Sequence, residues 1–354
     1  VGTTYARVRL STVGGLGVTG SADDGEVEDY EIEISAQADF GDAPSSYPVT
    51  RSENGARHVP TGPMLGATRD VEVDGLHSAA ADADGSDEDG VVDTGEFIVV
   101  GQTSSRVTIN VQNAPSGAQL DAWMDFNADG DWDDAGEQIF ASTLVVNGDN
   151  ALVFNVPVTA VVGTTYARLR LSTVGGLGVT GSADDGEVED YEIEISAQAD
   201  FGDAPASYPV TRSENGARHV PTGPMLGATR DAEVDGLHSA AADADGSDED
   251  GVVDTGGFLV VGDTGASVTI NVQNAPSGAK LDAWMDFNAD GDWDDAGEQI
   301  LTNTAVINGD NVLTFSVPSS AIVGTTYARV RLSTVGGLGV TGSADDGEVE
   351  DYEI

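Results

Sequence analysis

The chain has 354 residues, with 62 acidic against 14 basic side chains and a formal net charge of −48. This balance argues against a nucleic-acid partner and against binding to an anionic membrane surface, because almost nothing is present to neutralise phosphates. Cysteine is absent, which excludes disulfides, thiolate metal sites and thiol nucleophiles, and no apolar run approaches the length of a membrane span.

One segment, GTTYAR(V/L)RLSTVGGLGVTGSADDGEVEDYEI, occurs three times, beginning at Gly2, Gly163 and Gly324. The offset is 161 residues each time (163 − 2 and 324 − 163). A period this long is a whole domain rather than one turn of a solenoid. We therefore predict that residues 1–38 are the C-terminal strands of a preceding repeat, followed by full repeats at 39–199 and 200–354.

The first part of each full repeat, 39–93 or 200–254, is rich in glycine and proline and shows little alternation. We predict an irregular, largely extended segment. A structureless stretch of this length is unusual in a compact domain, so we predict that it is either a linker or a segment organised by bound ions.

The second part, 94–195 or 255–354, alternates apolar and polar residues with period two, as in RVTINVQ, AQLDAWMDFN, ALVFNVP, TYARLRLS and DYEIEIS. One apolar face per strand is typical of antiparallel sheets that are covered on one side. Asn147-Gly148 is a strong hairpin signal. The predicted fold is all-β: tandem antiparallel β-sandwich domains, immunoglobulin-like or jelly-roll-like, each with a long irregular acidic calcium-binding segment.

Two of these strands carry opposite charges on the face predicted to be solvated. In TYARLRLS, Arg168 and Arg170 lie on the face opposite the apolar side chains. In DYEIEIS, Glu192 and Glu194 do the same. We predict that the strands are neighbours with exposed Arg–Glu pairs between them, each contributing about 0.2–1 kcal/mol.

The acidic loop DFNADGDWDDAGE has the spacing D-x-N-x-D-G, with Gly130 at a sharp bend. Calcium prefers six to eight hard oxygens, and alternate residues of a tight loop can supply them. Magnesium seldom uses a cage made only of protein ligands. An acidic hairpin without an ion is the alternative. The candidate ligands are Asp125, Asn127, Asp129, Asp131, Asp133 and Glu137, and again Asp286, Asn288, Asp290, Asp292, Asp294 and Glu298.

Three further acidic runs, DVEVDG, DADGSDEDG and SADDGEVEDY, are weaker candidates for calcium. Their alternative is a solvated acidic face. Crowded carboxylates nevertheless repel one another and are hard to order without cations. These candidates are Asp70, Glu72, Asp74, Asp82, Asp84, Asp87, Asp89, Asp184, Asp185 and Glu187, with Asp231, Glu233, Asp235, Asp243, Asp245, Asp248 and Asp250 in the later copy.

Other motifs favour packing over chemistry. GLGVTG matches a dinucleotide fingerprint, but a strand rather than a helix follows it. No serine in a nucleophile-elbow motif is present for which His58 or His77 could act as the base, so a surface or packing role is predicted. Trp123 and Trp132 are expected to cover the sandwich edge and the calcium loop, with carbohydrate stacking as the alternative.

The motifs YARVRLS, GEVEDYEI, DFGDAP, GARHVP, GPMLGA and DEDGV together resemble the GEVED-type repeat of large bacterial surface and secreted proteins. The resemblance covers essentially the whole of each period. It implies a β-sandwich module of long extracellular adhesin-like or fibre-forming chains, often with acidic calcium loops, and no catalytic activity.

The predicted function is therefore that of a structural repeat in a calcium-stabilised extracellular filament, stalk or surface fibre. The alternative is an adhesin repeat that binds a glycan or protein. The expected cofactor is Ca²⁺, the expected location is the cell surface, and the expected partners are neighbouring copies, joined in tandem or by strand addition. Neither nucleic-acid binding nor membrane insertion is expected, and no enzyme activity is predicted.

Overall fold

The computed structural model describes residues 2–83, 85, 88–93, 97–114, 118–244, 246, 248–254 and 257–354. The hairpin at the start consists of β1 (Gly2–Leu10) and β2 (Glu26–Ile34). The strands of the first full repeat are β3 (Asp39–Phe40), β4 (Arg57–His58), β5 (Met64–Leu65), β6 (Val91–Asp93), β7 (Ile98–Val99), β8 (Ser105–Gln112), β9 (Gln119–Met124), β10 (Gln138–Leu144), β11 (Gly148–Phe154), β12 (Gly163–Ser172), β13 (Ser182–Ala183) and β14 (Glu187–Ser196).

The strands of the second full repeat are β15 (Asp200–Phe201), β16 (Arg218–His219), β17 (Met225–Leu226), β18 (Val252–Asp254), β19 (Ala266–Gln273), β20 (Lys280–Met285), β21 (Gln299–Ala305), β22 (Gly309–Phe315), β23 (Tyr327–Ser333), β24 (Ser343–Ala344) and β25 (Glu348–Glu353). Short 3-10 helices span Arg51–Glu53 and Arg212–Glu214. Within the described residues, no helix is long and apolar enough to cross a membrane.

The second full repeat is a sandwich of two antiparallel sheets. In one sheet β17, β18 and β22 all pair with β19, and the other has the order β21-β20-β23-β25. The apolar face of each strand points into a shared core because side chains alternate along a strand. That core includes Leu226, Ile270, Val272, Leu281, Ala283, Leu301, Val330 and Leu332.

The first full repeat has the same strands in the same order, with one further strand, β7, that pairs with the end of β14. One sheet contains β11-β8-β5 with β6 also on β8, and the other has the order β10-β9-β12-β14-β7. Its buried side chains include Leu65, Ile109, Leu120 and Leu171, all at most 1% exposed. The predicted all-β sandwich fold is thus confirmed.

Part of the acidic segment that begins each repeat forms a third layer on the outer face of the second sheet, while its strands β5 and β6, or β17 and β18, join the first sheet. In the second repeat, β15 pairs with β16 and β16 pairs in parallel with β24, which makes a small separate sheet. Tyr208 and Val210 of this segment pack on Trp284 of the sandwich. The Ala204 N–H donates to the Asp351 carboxylate at 2.9 Å. The polar face of the sheet is therefore covered by protein.

The prediction that Arg168 and Arg170 lie on a solvated face is wrong, because the third layer covers them. Their exposed fractions are 0% and 1%. The Arg168 guanidinium donates two hydrogen bonds of 2.7 Å to Asp190, rather than pairing with the exposed Glu192. Their strands, β12 and β14, are neighbours as predicted.

The hairpin of β1 and β2 repeats the sequence of β12 and β14 without the covering layer. Its strands pair from Gly2 opposite Ile34 to Leu10 opposite Glu26. Tyr5 and Leu10 are 71% and 69% exposed. The same arginine–aspartate pair that is buried in β12 and β14 is exposed in this hairpin.

The chain divides into two compact units. The first comprises Val1–Thr94, Val107–Leu152 and Thr165–Ile193, and the second comprises Gly95–Arg106, Val153–Thr164 and Glu194–Ile354. The first unit contains the hairpin and the acidic layer of the first repeat. The second unit contains the whole of the second repeat.

Candidate metal centres

The predicted calcium loop starts directly after strand β9, at Asp125. This side chain is fully buried. Its Oδ2 accepts hydrogen bonds from the Tyr47 hydroxyl at 2.6 Å and from the Gly130 N–H at 3.0 Å. Gly130 has φ 96°, a conformation that a residue with a side chain rarely adopts. The second oxygen, Asp125 Oδ1, is buried and has no hydrogen-bond partner, and Asp286 repeats the whole arrangement.

The middle of the loop is exposed and held by bonds between alternate residues. The N–H of Asp129 donates to Asn127 Oδ1 at 3.0 Å, and the N–H of Asp133 donates to Asp131 Oδ1 at 2.8 Å. All four of these residues are exposed. The later copy, Asn288, Asp290, Asp292 and Asp294, has the same bonds. These side chains form the outer rim of the loop, above the buried Asp125.

Glu137 closes the loop from the inside. It is 3% exposed, and its Oε1 is buried with no hydrogen-bond partner. Burial raises its pKa to about 7, with a smaller contribution from the charge of Asp125. Burial likewise raises the pKa of Glu298 in the later copy. Asp125 and Glu137 are thus two buried carboxylates of one loop, close enough for the charge of one to act on the other. Carboxylate oxygens are the donors that a hard divalent cation prefers.

Aromatic and cationic groups connect the loop to the third layer. Trp132, within the loop, is 2% exposed. Its ring centroid lies 4.2 Å from that of Tyr47, and the Arg168 guanidinium lies 4.4 Å above its ring. Its Nε1 donates to the Tyr166 carbonyl at 3.0 Å. The loop and the acidic segment therefore share one packed cluster.

Several of the weaker candidates accept hydrogen bonds from nearby groups. Asp74 accepts from the Arg51 N–H at 2.7 Å, and Asp185 accepts from the Thr173 N–H at 2.9 Å. Asp184 is exposed, and Asp84, Asp87 and Asp245 lie outside the described residues. Further candidates whose carboxylates accept a backbone or hydroxyl hydrogen include Asp82, Asp89, Asp235, Asp243 and Asp250. Such bonds satisfy a carboxylate without an ion.

The remaining weaker candidates lie near the junction of the third layer with the first residues of β14 or β25. They are Asp70, Glu72 and Glu187 in the first repeat, and Asp231, Glu233 and Asp248 in the second. The structure brings Asp248 together with Asp200 and Glu348, so that one carboxylate oxygen of each lies within 4.8 Å of the others. All three are buried.

The histidine in the third layer is a packing residue. His58 is fully buried. Its Nδ1 lies 2.7 Å from the Asp185 carbonyl, and its Nε2 accepts from the Arg170 Nε at 3.0 Å. Burial, assisted by the Arg170 charge, holds its pKa well below the ordinary value. The imidazole is therefore neutral, and a packing role fits its position.

Comparison with known proteins finds one family in the second half of each full repeat. One protein family, described as the GEVED domain, matches residues 119–194 and 280–354. These two segments are GEVED domains. No curated protein matches the chain.

Several solved structures resemble the chain distantly. One is described as "Biofilm associated protein - BSP domain", with 11% identity and a TM-score of 0.18 over 72% of this chain. The chain spans only 28% of the length of that structure. A chimeric titin Z1Z2-Z1Z2 tandem has 10% identity and a TM-score of 0.18, covering 74% of this chain and 95% of its own. CBD12 from CALX1.2 has 7% identity and a TM-score of 0.20, covering 72% and 95%. Likenesses this weak have no bearing on function.

Sequence reasoning missed Asp200 and Glu348, the two most buried members of the carboxylate group. Glu348 is the first glutamate of the GEVED motif in the second GEVED domain, and Asp200 opens DFGDAP. A signal was present: alternation places Glu187 and Glu189 on the same face of β14 as Tyr191. Charged residues on the core-facing side of a strand indicate a buried polar site.

Proposed function

We propose that the chain is a calcium-stabilised structural segment of an extracellular surface or fibre protein, built from GEVED domains in tandem. The observation that carries the proposal is the buried oxygen at the head of each acidic loop. Asp125 Oδ1 and Asp286 Oδ1 are both buried with no hydrogen-bond partner. A calcium ion coordinated there would satisfy them and neutralise part of the acidic rim.

Burial of the tryptophans favours this structural role over a glycan-binding one. Trp123 and Trp132 are 5% and 2% exposed, and Trp284 and Trp293 are 4% and 2% exposed. A tryptophan that stacks on a sugar must present a face to solvent. These four side chains instead hold the acidic segment to the sandwich, so their large contact areas contribute to stability.

Calcium should stabilise the chain, and a chelator should remove that stabilisation. At a free calcium concentration of 100 times Kd, one site adds about 2.7 kcal/mol to the free energy of unfolding. For a domain of this size we expect Tm to fall by roughly 5–10 °C in EDTA. Scanning calorimetry of the full chain in calcium and in EDTA measures this difference.

The matched variants assign the effect to the loops. Asp125→Asn with Asp286→Asn should abolish most of the calcium-dependent rise in Tm. Asp149→Asn with Asp310→Asn makes the same charge change at exposed positions outside the loops and should leave the rise intact. An identical Tm in calcium and EDTA for the unmodified chain would falsify calcium stabilisation.

Neighbouring copies are the partners in this proposal. The 161-residue period supports continuous tandem linkage, and strand addition between separate chains is the other arrangement. The mass of the intact protein, purified from its natural source, separates the two. A mass near the 36.2 kDa of this chain favours separate subunits, and a much larger mass favours a continuous array.

A further inference from the structure

Three acidic side chains that are distant in the sequence meet inside the second full repeat. Asp200 lies in β15, Asp248 precedes β18 and Glu348 begins β25. One carboxylate oxygen of each lies within 4.8 Å of the others, and their exposed fractions are 0%, 4% and 0%. Desolvation and mutual repulsion both disfavour ionised carboxylates in such a place. The cluster therefore needs protons or a cation.

In two of these carboxylates, a backbone hydrogen bond reaches only one of the two oxygens. The Val349 N–H donates to Asp200 Oδ2 at 2.7 Å, and the Leu226 N–H donates to Glu348 Oε2 at 2.6 Å. The other oxygens, Asp200 Oδ1 and Glu348 Oε1, are buried and have no hydrogen-bond partner. Buried polar atoms are nearly always paired in folded proteins, so two such oxygens in one cluster indicate a ligand.

The surrounding charges do not neutralise the cluster. Asp231 adds a fourth carboxylate, whose charge acts on Asp200 and whose Oδ1 is also buried with no hydrogen-bond partner. Arg230 is close enough to lower the pKa of Glu348. Its guanidinium, however, donates to backbone carbonyl oxygens of four residues. Among the groups whose charges act on Asp200 and Glu348, one arginine is therefore outnumbered by several carboxylates.

Burial and neighbouring carboxylates act on these groups in the same direction. Burial, and then the charge of Glu348, raises the pKa of Asp200 well above its ordinary value. Burial, and then the charge of Glu350, raises the pKa of Glu348. The case for a cation rests on the geometry, in which three buried carboxylates converge and two of their oxygens have no hydrogen-bond partner.

The first full repeat places the counterparts of Asp200 and Glu348 in the same hydrogen-bonded positions. The Val188 N–H donates to Asp39 Oδ2 at 2.7 Å, and the Leu65 N–H donates to Glu187 Oε2 at 2.6 Å. Asp39 and Glu187 are both fully buried. The counterpart of Asp248 is Asp87, which lies outside the described residues. Asp39 and Glu187 thus repeat the buried pair formed by Asp200 and Glu348.

We propose that Asp200, Asp248 and Glu348 hold a calcium ion inside the second repeat, and that Asp39 and Glu187 belong to the same site in the first. Charged oxygen donors alone suit a hard cation, and a buried, protein-only set favours Ca²⁺ over the more hydrated Mg²⁺. This site rests on the proposed function for the identity of the ion, but it uses different residues from the loops. Its ion connects the DFGDAP motif to the GEVED motif and fastens the third layer to the sheet.

Isothermal titration of the full chain with calcium chloride, after removal of metal with EDTA, tests the site. Glu187→Gln with Glu348→Gln keeps the side-chain size and the acceptor for the backbone N–H. We expect this variant to bind one calcium ion fewer per repeat than the unmodified chain. The control is Glu192→Gln with Glu353→Gln, which changes two exposed residues of the same strands and should lose no ion.

The loop variant separates this site from the proposed function. Asp125→Asn with Asp286→Asn should lose the calcium ions of the two loops and keep those of the buried site. If Glu187→Gln with Glu348→Gln binds as many ions as the unmodified chain, the carboxylates are protonated acids and the buried site is refuted, whatever the loop variant does. If Asp125→Asn with Asp286→Asn binds as many calcium ions as the unmodified chain, while Glu187→Gln with Glu348→Gln binds fewer, the loops are not calcium sites and the buried site is supported.

Limited trypsin digestion checks the same site through the third layer. Calcium should slow cleavage at Arg212 and Arg230 in the unmodified chain and the control, but not in Glu187→Gln with Glu348→Gln. Equal protection in that variant contradicts the proposal. If the variant lacks the far-UV circular dichroism of the unmodified chain, Asp39→Asn with Asp200→Asn replaces it, with the same expected losses.

Discussion

Replacing Asp190 and Asp351 by asparagine should lower the free energy of unfolding of each repeat by about 3–5 kcal/mol, the range for breaking a buried ion pair. Each aspartate is fully buried, and each accepts two hydrogen bonds of 2.6–2.7 Å from its arginine. Asparagine keeps the size but leaves a buried guanidinium charge without a counter-ion. Urea denaturation of the double variant measures the loss.

The chain supplies its own control for this experiment. Arg7 and Asp29 occupy the corresponding positions in the hairpin β1–β2, with two hydrogen bonds of 2.6 Å, but their side chains are 45% and 52% exposed. Asp29→Asn should cost far less than the buried replacement, because solvent screens an exposed pair. Equal losses for the exposed and buried pairs would show that the third layer does not cover the sheet in solution.

Trp132→Ala together with Trp293→Ala should cost about 3–5 kcal/mol per repeat, as expected for truncating a large core side chain. Trp293 is 2% exposed, its ring lies 4.2 Å from that of Tyr208, and the Arg329 guanidinium lies 4.5 Å above it. The alanine leaves a cavity between the acidic loop, the third layer and the sheet. Thermal denaturation followed by circular dichroism measures the effect.

Phe258→Ala is the matched control for the tryptophan variants. Phe258 is 99% exposed, so its truncation should change stability by no more than about 0.5 kcal/mol. The tryptophan variant should also lose resistance to trypsin at Arg51 and Arg212, because both lie in the layer that it holds. Retention of full stability in that variant would contradict the packing of this cluster.

The sandwich was predictable because its strands obey a simple rule. Residues such as Leu120 and Ala122 alternate with polar ones, and burial of one face follows directly from strand geometry. The loop from Asp125 to Glu137 was also visible, because its glycine and alternating acids are close together in the sequence. The calcium assignment itself stays a prediction.

The covered polar face was not predictable from periodicity. A strand with arginines on one face is expected to have that face in solvent. Nothing in the sequence of the strand indicates that a segment 120 residues away covers Arg168. The buried carboxylate cluster depends on the same long-range contact. Asp200 and Glu348 belong to different motifs, and only the fold brings them together.

The bond between Asp39 and Val188 joins positions that are 149 residues apart. Because these positions lie near the two ends of one repeat, the hydrogen bond links the ends directly. We expect a pulling force along the chain to load this contact before it extends the strands between the two residues. The repeat would then keep its length up to the force that breaks the contact and would lengthen abruptly above that force.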